Sequence, residues 1–339
     1  MKKNVIIGII IAALLAAGIG VAVYLDGKTV EEHTDTSYAM GTVVTQKLWG
    51  KGSEQVATEI KRNIVYCENK SISRRVAASD ISKLNSEKTF EVSDNTVSDL
   101  QKMLQFSKDC GGVVDITMGE VINLWNIGEG NFKVPAKDVL DKALKTVDYK
   151  KIKIDGNKIT IGKDQRIDMG CAGKGIACDD AYKVLEKYTL KKAIISVGGS
   201  IVLWSKDSNE KFTVGIRDPK KDASSYAMTV ETGKGFVSTS GSYERVSKDE
   251  KGKAYHHILS TENGYPVENG IVSATVFCQS GIMSDALSTA CFILGPEKSE
   301  KLLEKYDAQA VFITKDNKVV LSKNFDMKIK IESKDYSVK

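Results

Sequence analysis

The chain has 339 residues, 42% of them hydrophobic and 27% charged, with a formal net charge of +5. This is a globular composition, and four prolines with no low-complexity run exclude long disordered linkers. Lysines and carboxylates are interspersed with no basic cluster beyond the first residues, which excludes an electrostatic nucleic-acid footprint.

In chain order, Lys2 and Lys3 precede an almost purely apolar run from Val5 to Leu25. Its length is close to the roughly 20 residues that span a bilayer. Positive charge ahead of the run keeps the lysines inside. Residues 1–25 therefore read as a membrane anchor, with the rest of the chain outside the cytoplasm. A cleaved signal peptide is the competing reading, because Ala16, Ala17, Gly18, Gly20 and Ala22 populate the end of the run. The first cysteine is Cys67, so acylation of a cysteine at the run's end is excluded. Polar residues 26–37 read as a stalk.

Thr42–Trp49 reads as a strand. Val56, Ile60, Ile64 and Cys67 recur at helical spacing over Ser53–Asn69. A second helix runs from a Ser93 N-cap to Cys110, stopped by Gly111-Gly112. Ala136–Thr146 is a third. KIKID and KITIG flank Gly156-Asn157 as a hairpin. Ala177–Tyr188 reads as a helix. Strands fit Ala193–Val197, Phe212–Ile216, Ala227–Thr232, Ala254–Leu259 and Val272–Gln279. Helices follow at Asp285–Leu294 and Pro296–Tyr306, and Ala310–Leu321 is a hairpin. Strands and helices interleave without strict βαβ order, so the class is α+β. Six cysteines without a CxxC pair, and three histidines, argue against a disulfide framework or a Cys/His zinc site.

Five segments carry candidate chemistry. Asp168-Met169-Gly170-Cys171-Ala172-Gly173-Lys174-Gly175 sits between a predicted strand (RIDMG) and a predicted helix. Glycines and a lysine at such a turn suit phosphate, because backbone N–H groups and the helix N-terminus favour anions. The spacing is neither a P-loop nor a Rossmann fingerprint, and a structural turn is the alternative. Asp285, Ser288 and Thr289 share a helix face at i, i+3 and i+4, a hard-oxygen set that suits Mg²⁺. The alternative is an N-capping Asp with hydroxyls on the polar face. In Tyr255-His256-His257-Ile258, strand alternation turns one His inward, as a general base or a structural group. Ser238-Thr239-Ser240-Gly241-Ser242-Tyr243, and Asp115–Gly119 running on to Leu124-Trp125-Asn126, read as ligand-contacting or plain loops.

Taken in order, MGT (Met40–Thr42), DITMG…NLW, DMGCAGKG, GGS (Gly198–Ser200), GIRDP (Gly215–Pro219), STSGSYER, HHI…GYP and SDALSTA resemble the ApbE family of flavin transferases, over residues 38–322. The resemblance implies a mixed-sheet, T-fold-like α+β domain over 38–325, with the anchor before it and a tail at 326–339. It implies Mg²⁺-dependent transfer of FMN from FAD to a Ser/Thr hydroxyl of an exported protein, releasing AMP. By the same resemblance, Met40 packs on the isoalloxazine, and Trp125, Asn126 and Ile127 line the flavin. Asp168 and Lys174 contact FAD, as do Ser238, Thr239, Ser240 and Ile258. Arg75 stands where the family has an aromatic and would cover the flavin by guanidinium stacking. The Cys171 carbonyl with Asp285, Ser288 and Thr289 would hold the metal. His257 would help deprotonate the acceptor hydroxyl. The chain departs from the family pattern at Cys171-Ala172-Gly173, which replace G-I-A, and at Ser260-Thr261, which replace Asp-Pro. Two other outcomes fit the same motifs: FAD hydrolysis to FMN and AMP, and a surface protein that binds FAD without turnover.

Overall fold

A computed structural model describes residues 32–222 and 224–339. The predicted anchor at 1–25 and the first part of the predicted stalk lie outside these residues. Among the described residues no helix is long and apolar enough to cross a membrane.

The chain opens with the hairpin β1 (Glu32–Ala39) and β2 (Thr42–Trp49), then α1 (Ser53–Tyr66), which runs on as a π-helical turn at Cys67–Ile72. Next come α2 (Asp80–Glu87), β3 (Thr89–Glu91), α3 (Asp94–Asp109), α4 (Gly119–Trp125) and α5 (Lys137–Leu144). The hairpin β4 (Lys153–Asp155) and β5 (Lys158–Thr160) leads to α6 (Gly173–Leu185). Then follow β6 (Lys192–Val197), β7 (Ser200–Ser205), β8 (Phe212–Arg217), β9 (Tyr226–Thr232), β10 (Gly235–Gly241), β11 (Val246–Lys248), β12 (Ala254–His256) and β13 (Ile271–Cys278). The helices α7 (Gly281–Leu294) and α8 (Pro296–Lys305) precede β14 (Gln309–Thr314), β15 (Lys318–Leu321), β16 (Lys328–Ile331) and β17 (Ser337–Val338).

Nine strands form one sheet in the order β1-β2-β6-β7-β10-β13-β14-β15-β17. Its neighbours pair antiparallel except β15 with β17. Both faces of the central strands are covered, so β6 and β7 are buried at every position and read as apolar runs rather than as alternation. On one face, Ile195, Val197 and Val202 meet α1 and α6 through Ile60, Ala177 and Ala181. On the other, Ile194, Leu203 and Val237 meet the small sheet β16-β9-β8 through Phe212, Val214 and Val230. Farther along the sheet, Ala274, Val276 and Phe312 pack against α7 through Ala286, Leu287 and Ala290. Each Val, Leu, Ile or Phe among them contributes about 1.5–3 kcal/mol when fully buried, and each Ala less.

The α+β class and most element positions agree with the sequence reading. Ser93 caps α3 by accepting from the Thr96 amide. Several boundaries differ. Residues 32–37 of the predicted stalk belong to β1, an edge strand whose polar side chains leave only Ala39 buried. The predicted tail is woven in, because β16 pairs with β9 and β17 with β15. RIDMG is not a strand; it makes one isolated bridge, Arg166 to Met118. The strand predicted to reach Leu259 ends at His256.

Candidate active site

The site is built where α6 and α7 cross. Both helices begin four residues earlier than their patterns suggest, on Gly173 and Gly281. The crossing demands glycine. A Cβ on Gly175 would lie 2.1 Å from the Gly281 carbonyl oxygen, and one on Gly281 would lie 2.4 Å from that of Gly175. Asp179 on α6 accepts from the Gly281 amide (2.6 Å) and the Ile282 amide (2.9 Å), satisfying donors at the start of α7.

This contact delivers Asp285, one turn into α7, to the first turn of α6. The Asp285 carboxylate accepts from the Gly175 amide at 3.0 Å and pairs with Lys174 Nζ at 3.2 Å. Its side chain is 3% exposed and that of Lys174 27%, so the ammonium reaches toward solvent from a buried anion. Asp285 is therefore not an N-cap; Ser280 fills that place by accepting from Met283. One turn farther along, Ser288 and Thr289 meet Ser240 of β10 at 2.8 and 3.3 Å. Below them Ser238 is sealed between Ser200 (3.1 Å) and Ser284 (2.8 Å). Thr239 points to the opposite face of the sheet and bonds to Thr275 at 2.8 Å. Strand alternation thus removes Thr239 from the predicted contacts.

The turn from Asp168 to α6 closes one side. Asp168 accepts from the Gly170 amide at 2.6 Å and pairs with Arg74 at 2.5 Å. Met40, at φ 56° in the β1–β2 turn, donates its amide to Glu68 at 2.7 Å. Its methyl lies 3.6 Å from the position a Gly173 Cβ would take, so it borders the turn. Cys171 is partly exposed, and burial beside Asp168 and Asp285 raises its thiol pKa, so it is no thiolate.

His257 follows β12, and its amide donates to the Arg245 carbonyl at 3.2 Å. It is half-buried, yet its Nδ1 is closed off and has no partner among the described residues. Burial, with Arg245, Lys174 and His256 adding positive potential, lowers its pKa to about 3. The ring is neutral at physiological pH and one nitrogen is uncommitted. His256 is structural: its Nε2 meets the Val267 carbonyl at 3.0 Å, and its Nδ1 accepts from the Ile258 amide at 3.3 Å. Ile258 is buried in the core behind them.

Two predicted contacts behave differently. Trp125 is completely buried, donates to the Gly264 carbonyl at 2.8 Å and packs among Phe132, Tyr255 and Tyr265. It anchors the segment and offers no face to a ligand; Asn126 (φ 47°) then turns the chain and Ile127 is again buried. Arg75 is about half exposed and ion-paired to Glu129, which also pairs with Arg74. Its guanidinium is tied to the rim and does not lie free as a stacking platform. Asp115 supports its own loop by accepting from Thr117 and Tyr149. The motif reading gave no role to Arg74, Arg245, Asp179 or the glycine pair; Gly175 and Arg245 lay inside motifs, DMGCAGKG and STSGSYER, and the others did not.

A model of the ApbE family matches residues 40–313. The chain belongs to this family. It is 31% identical over 239 residues to the FAD:protein FMN transferase of Treponema pallidum, covering 65% of this chain and 66% of that one. With the FAD:protein FMN transferase of Haemophilus influenzae it shares 25% identity over 96% and 99% of the two chains. The crystal structure of the ApbE protein from Thermotoga maritima superposes with a TM-score of 0.79 at 25% identity, covering 87% of this chain and 98% of that one. The flavin transferase ApbE from Vibrio cholerae gives a TM-score of 0.74 at 22% identity, covering 90% and 98%, and shares the fold.

Proposed function

We propose that this ApbE-family chain transfers FMN from FAD to a Ser or Thr hydroxyl of an exported protein and releases AMP. One observation carries the reading: a buried carboxylate and a lysine meet at a glycine-rich helix N-terminus, one helical turn from a patch of hydroxyls, with a neutral histidine near the lysine. The Lys174 ammonium, more than a quarter exposed at the start of α6, suits a diphosphate. The names of the relatives point the same way.

Among the described residues no three His, Cys, Asp or Glu side chains converge on a metal position. The donor set that the resemblance implies is the Asp285 carboxylate with the Ser288 and Thr289 hydroxyls and the Cys171 carbonyl. That set fits Mg²⁺, which takes few protein oxygens and keeps water and phosphate in its shell. Bound there, Mg²⁺ supplies charge neutralisation for the diphosphate. Lys174, now paired to Asp285, adds a second positive charge on the phosphate side. The acceptor oxygen attacks the FMN phosphorus and forms a P–O bond. The bond from that phosphorus to the bridging oxygen breaks, and AMP leaves with the electron pair. The hydroxyl proton goes to His257, whose neutral ring is available and whose basicity rises when phosphate offsets Lys174 and Arg245. The apolar run at 5–25 supports a membrane anchor and an extracytoplasmic acceptor.

The test is the intact mass of an exported flavoprotein acceptor incubated with the full-length chain, FAD and MgCl₂. A gain of one FMN is expected, lost with EDTA and reduced about 10²–10⁴-fold by His257→Ala. Free FMN and AMP with no acceptor gain would replace transfer by hydrolysis. FAD binding without either product would leave a flavin-binding protein.

A further inference from the structure

We propose that Arg74 is a positioning residue that fixes Asp168, and through it the Asp168–Gly175 turn, for the dinucleotide. This rests on the FAD reading above. Each guanidinium nitrogen of Arg74 meets a different segment: Nε pairs with Asp168 Oδ2 at 2.5 Å, one terminal nitrogen donates to Asn123 Oδ1 at 2.5 Å, and the other donates to Glu129 Oε1 at 3.3 Å. The side chain is 13% exposed and that of Asp168 10%. Asn123 lies on α4, and Glu129 lies in the turn that follows Asn126 and is held there by its amide on the Asn126 carbonyl at 3.0 Å. The second oxygen of Asp168 accepts from Gly170. One arginine thus joins the segment after the π-helical turn, the end of α4 and the glycine-rich turn.

The physical need is clear from the turn itself. Gly170 and Gly173 give it more backbone freedom to lose than other residues would. Asp168 at its start is the point at which a rigid partner stops that loss from falling on ligand binding. A planar guanidinium satisfies three acceptors in fixed directions, and a lysine ammonium does not. Asp285, Ser240, Ser288 and Thr289 are bonded to other partners, so removing Arg74 leaves the groups nearest the reacting phosphorus in place.

The experiment uses the full-length chain and FAD itself. FAD affinity is read by flavin fluorescence, and KM and kcat by FMN transfer. Arg74→Ala is expected to weaken FAD binding and raise KM by about 10–100-fold, the range for hydrogen bonds to charged groups, with kcat within about threefold. Arg74→Lys fails to restore affinity, whereas millimolar methylguanidinium added to Arg74→Ala restores part of it. Combining Arg74→Ala with Asp168→Asn does no more harm than the worse single change, because the two act as a unit. Unchanged affinity in Arg74→Ala, full rescue by lysine, or multiplying effects in the double variant would each overturn the assignment. Should Arg74→Ala not fold, Arg74→Lys carries the same test, and wild-type affinity there rejects it. A wild-type chain that binds no FAD overturns the function reading itself, which the Arg74 outcomes alone do not touch.

Discussion

The α6–α7 crossing and the β11–β12 arm carry the two halves of the candidate chemistry, and they are built in opposite ways. The crossing places two long helices backbone to backbone, so Asp285 and the Gly175 amide have almost no freedom. The arm is a pair of three-residue strands, and His257 lies just past it, tied to Arg245 by one backbone hydrogen bond. The half proposed to hold the diphosphate sits on rigid elements with shared packing; the proposed base sits on a segment with its own local contacts. Damage to the first reaches the core, whereas damage to the second stays local.

The largest effect is therefore expected at the crossing. Gly175→Ala sets a methyl 2.1 Å from a carbonyl oxygen with no flexible side chain to yield. The helices must separate, at a cost of at least about 1–3 kcal/mol, the usual range for overpacking. Asp285 then leaves the Gly175 amide, and FMN transfer falls to background. Urea unfolding and the acceptor mass assay read the two losses together. A variant with wild-type stability and activity would remove the crossing as the organising feature.

That same close approach explains which parts were legible in the sequence. Apolar strands such as Ala193–Val197 and the amphipathic helix ending near Cys110 declare themselves by composition and spacing. The starts of α6 and α7 did not, because Gly173, Gly175 and Gly281 read locally as helix breakers. Only their partner across the crossing makes them helical. β10 was read as a loop, since Ser238 and Ser240 are polar; they lie on a central strand because Ser284 and Ser288 answer them from α7. β1 has no apolar face to announce it. The motif residues Asp168, Lys174, Asp285 and His257 were found by order along the chain. Arg74 was invisible, because its three partners come from distant segments.

At the arm a smaller effect is expected, and it depends on pH. His257 ionises near 6.5 in an unfolded chain and near 3 here. Between those values the unfolded chain binds the extra proton, so stability falls as pH drops through that window and is complete above it. His256 is lowered as well, by burial, and adds in the same direction. His257→Gln should flatten part of the decline between about pH 6 and 4 in urea midpoints, leaving the pH 8 value nearly unchanged. For the same reason the kcat/KM profile of the free enzyme should carry no His257 limb near pH 6.5. A limb there, removed by His257→Gln, would mean that the ring is more solvated than its closed Nδ1 implies.

The smallest effect belongs to the anchor behind the arm. Trp125 reaches from α4 to the Gly264 carbonyl, and Gly264 lies in the loop that follows His257. Trp125→Phe keeps an aromatic ring among Phe132, Tyr255 and Tyr265 but deletes the indole donor. The loss is about 1 kcal/mol for one hydrogen bond, plus whatever the Gly264 carbonyl loses if water does not reach it. Transfer should change by no more than about threefold, because no group at the phosphorus moves. A much larger fall in kcat with little change in stability would show that the Trp125–Gly264 bond sets the position of His257, and that the arm is less local than its short strands suggest.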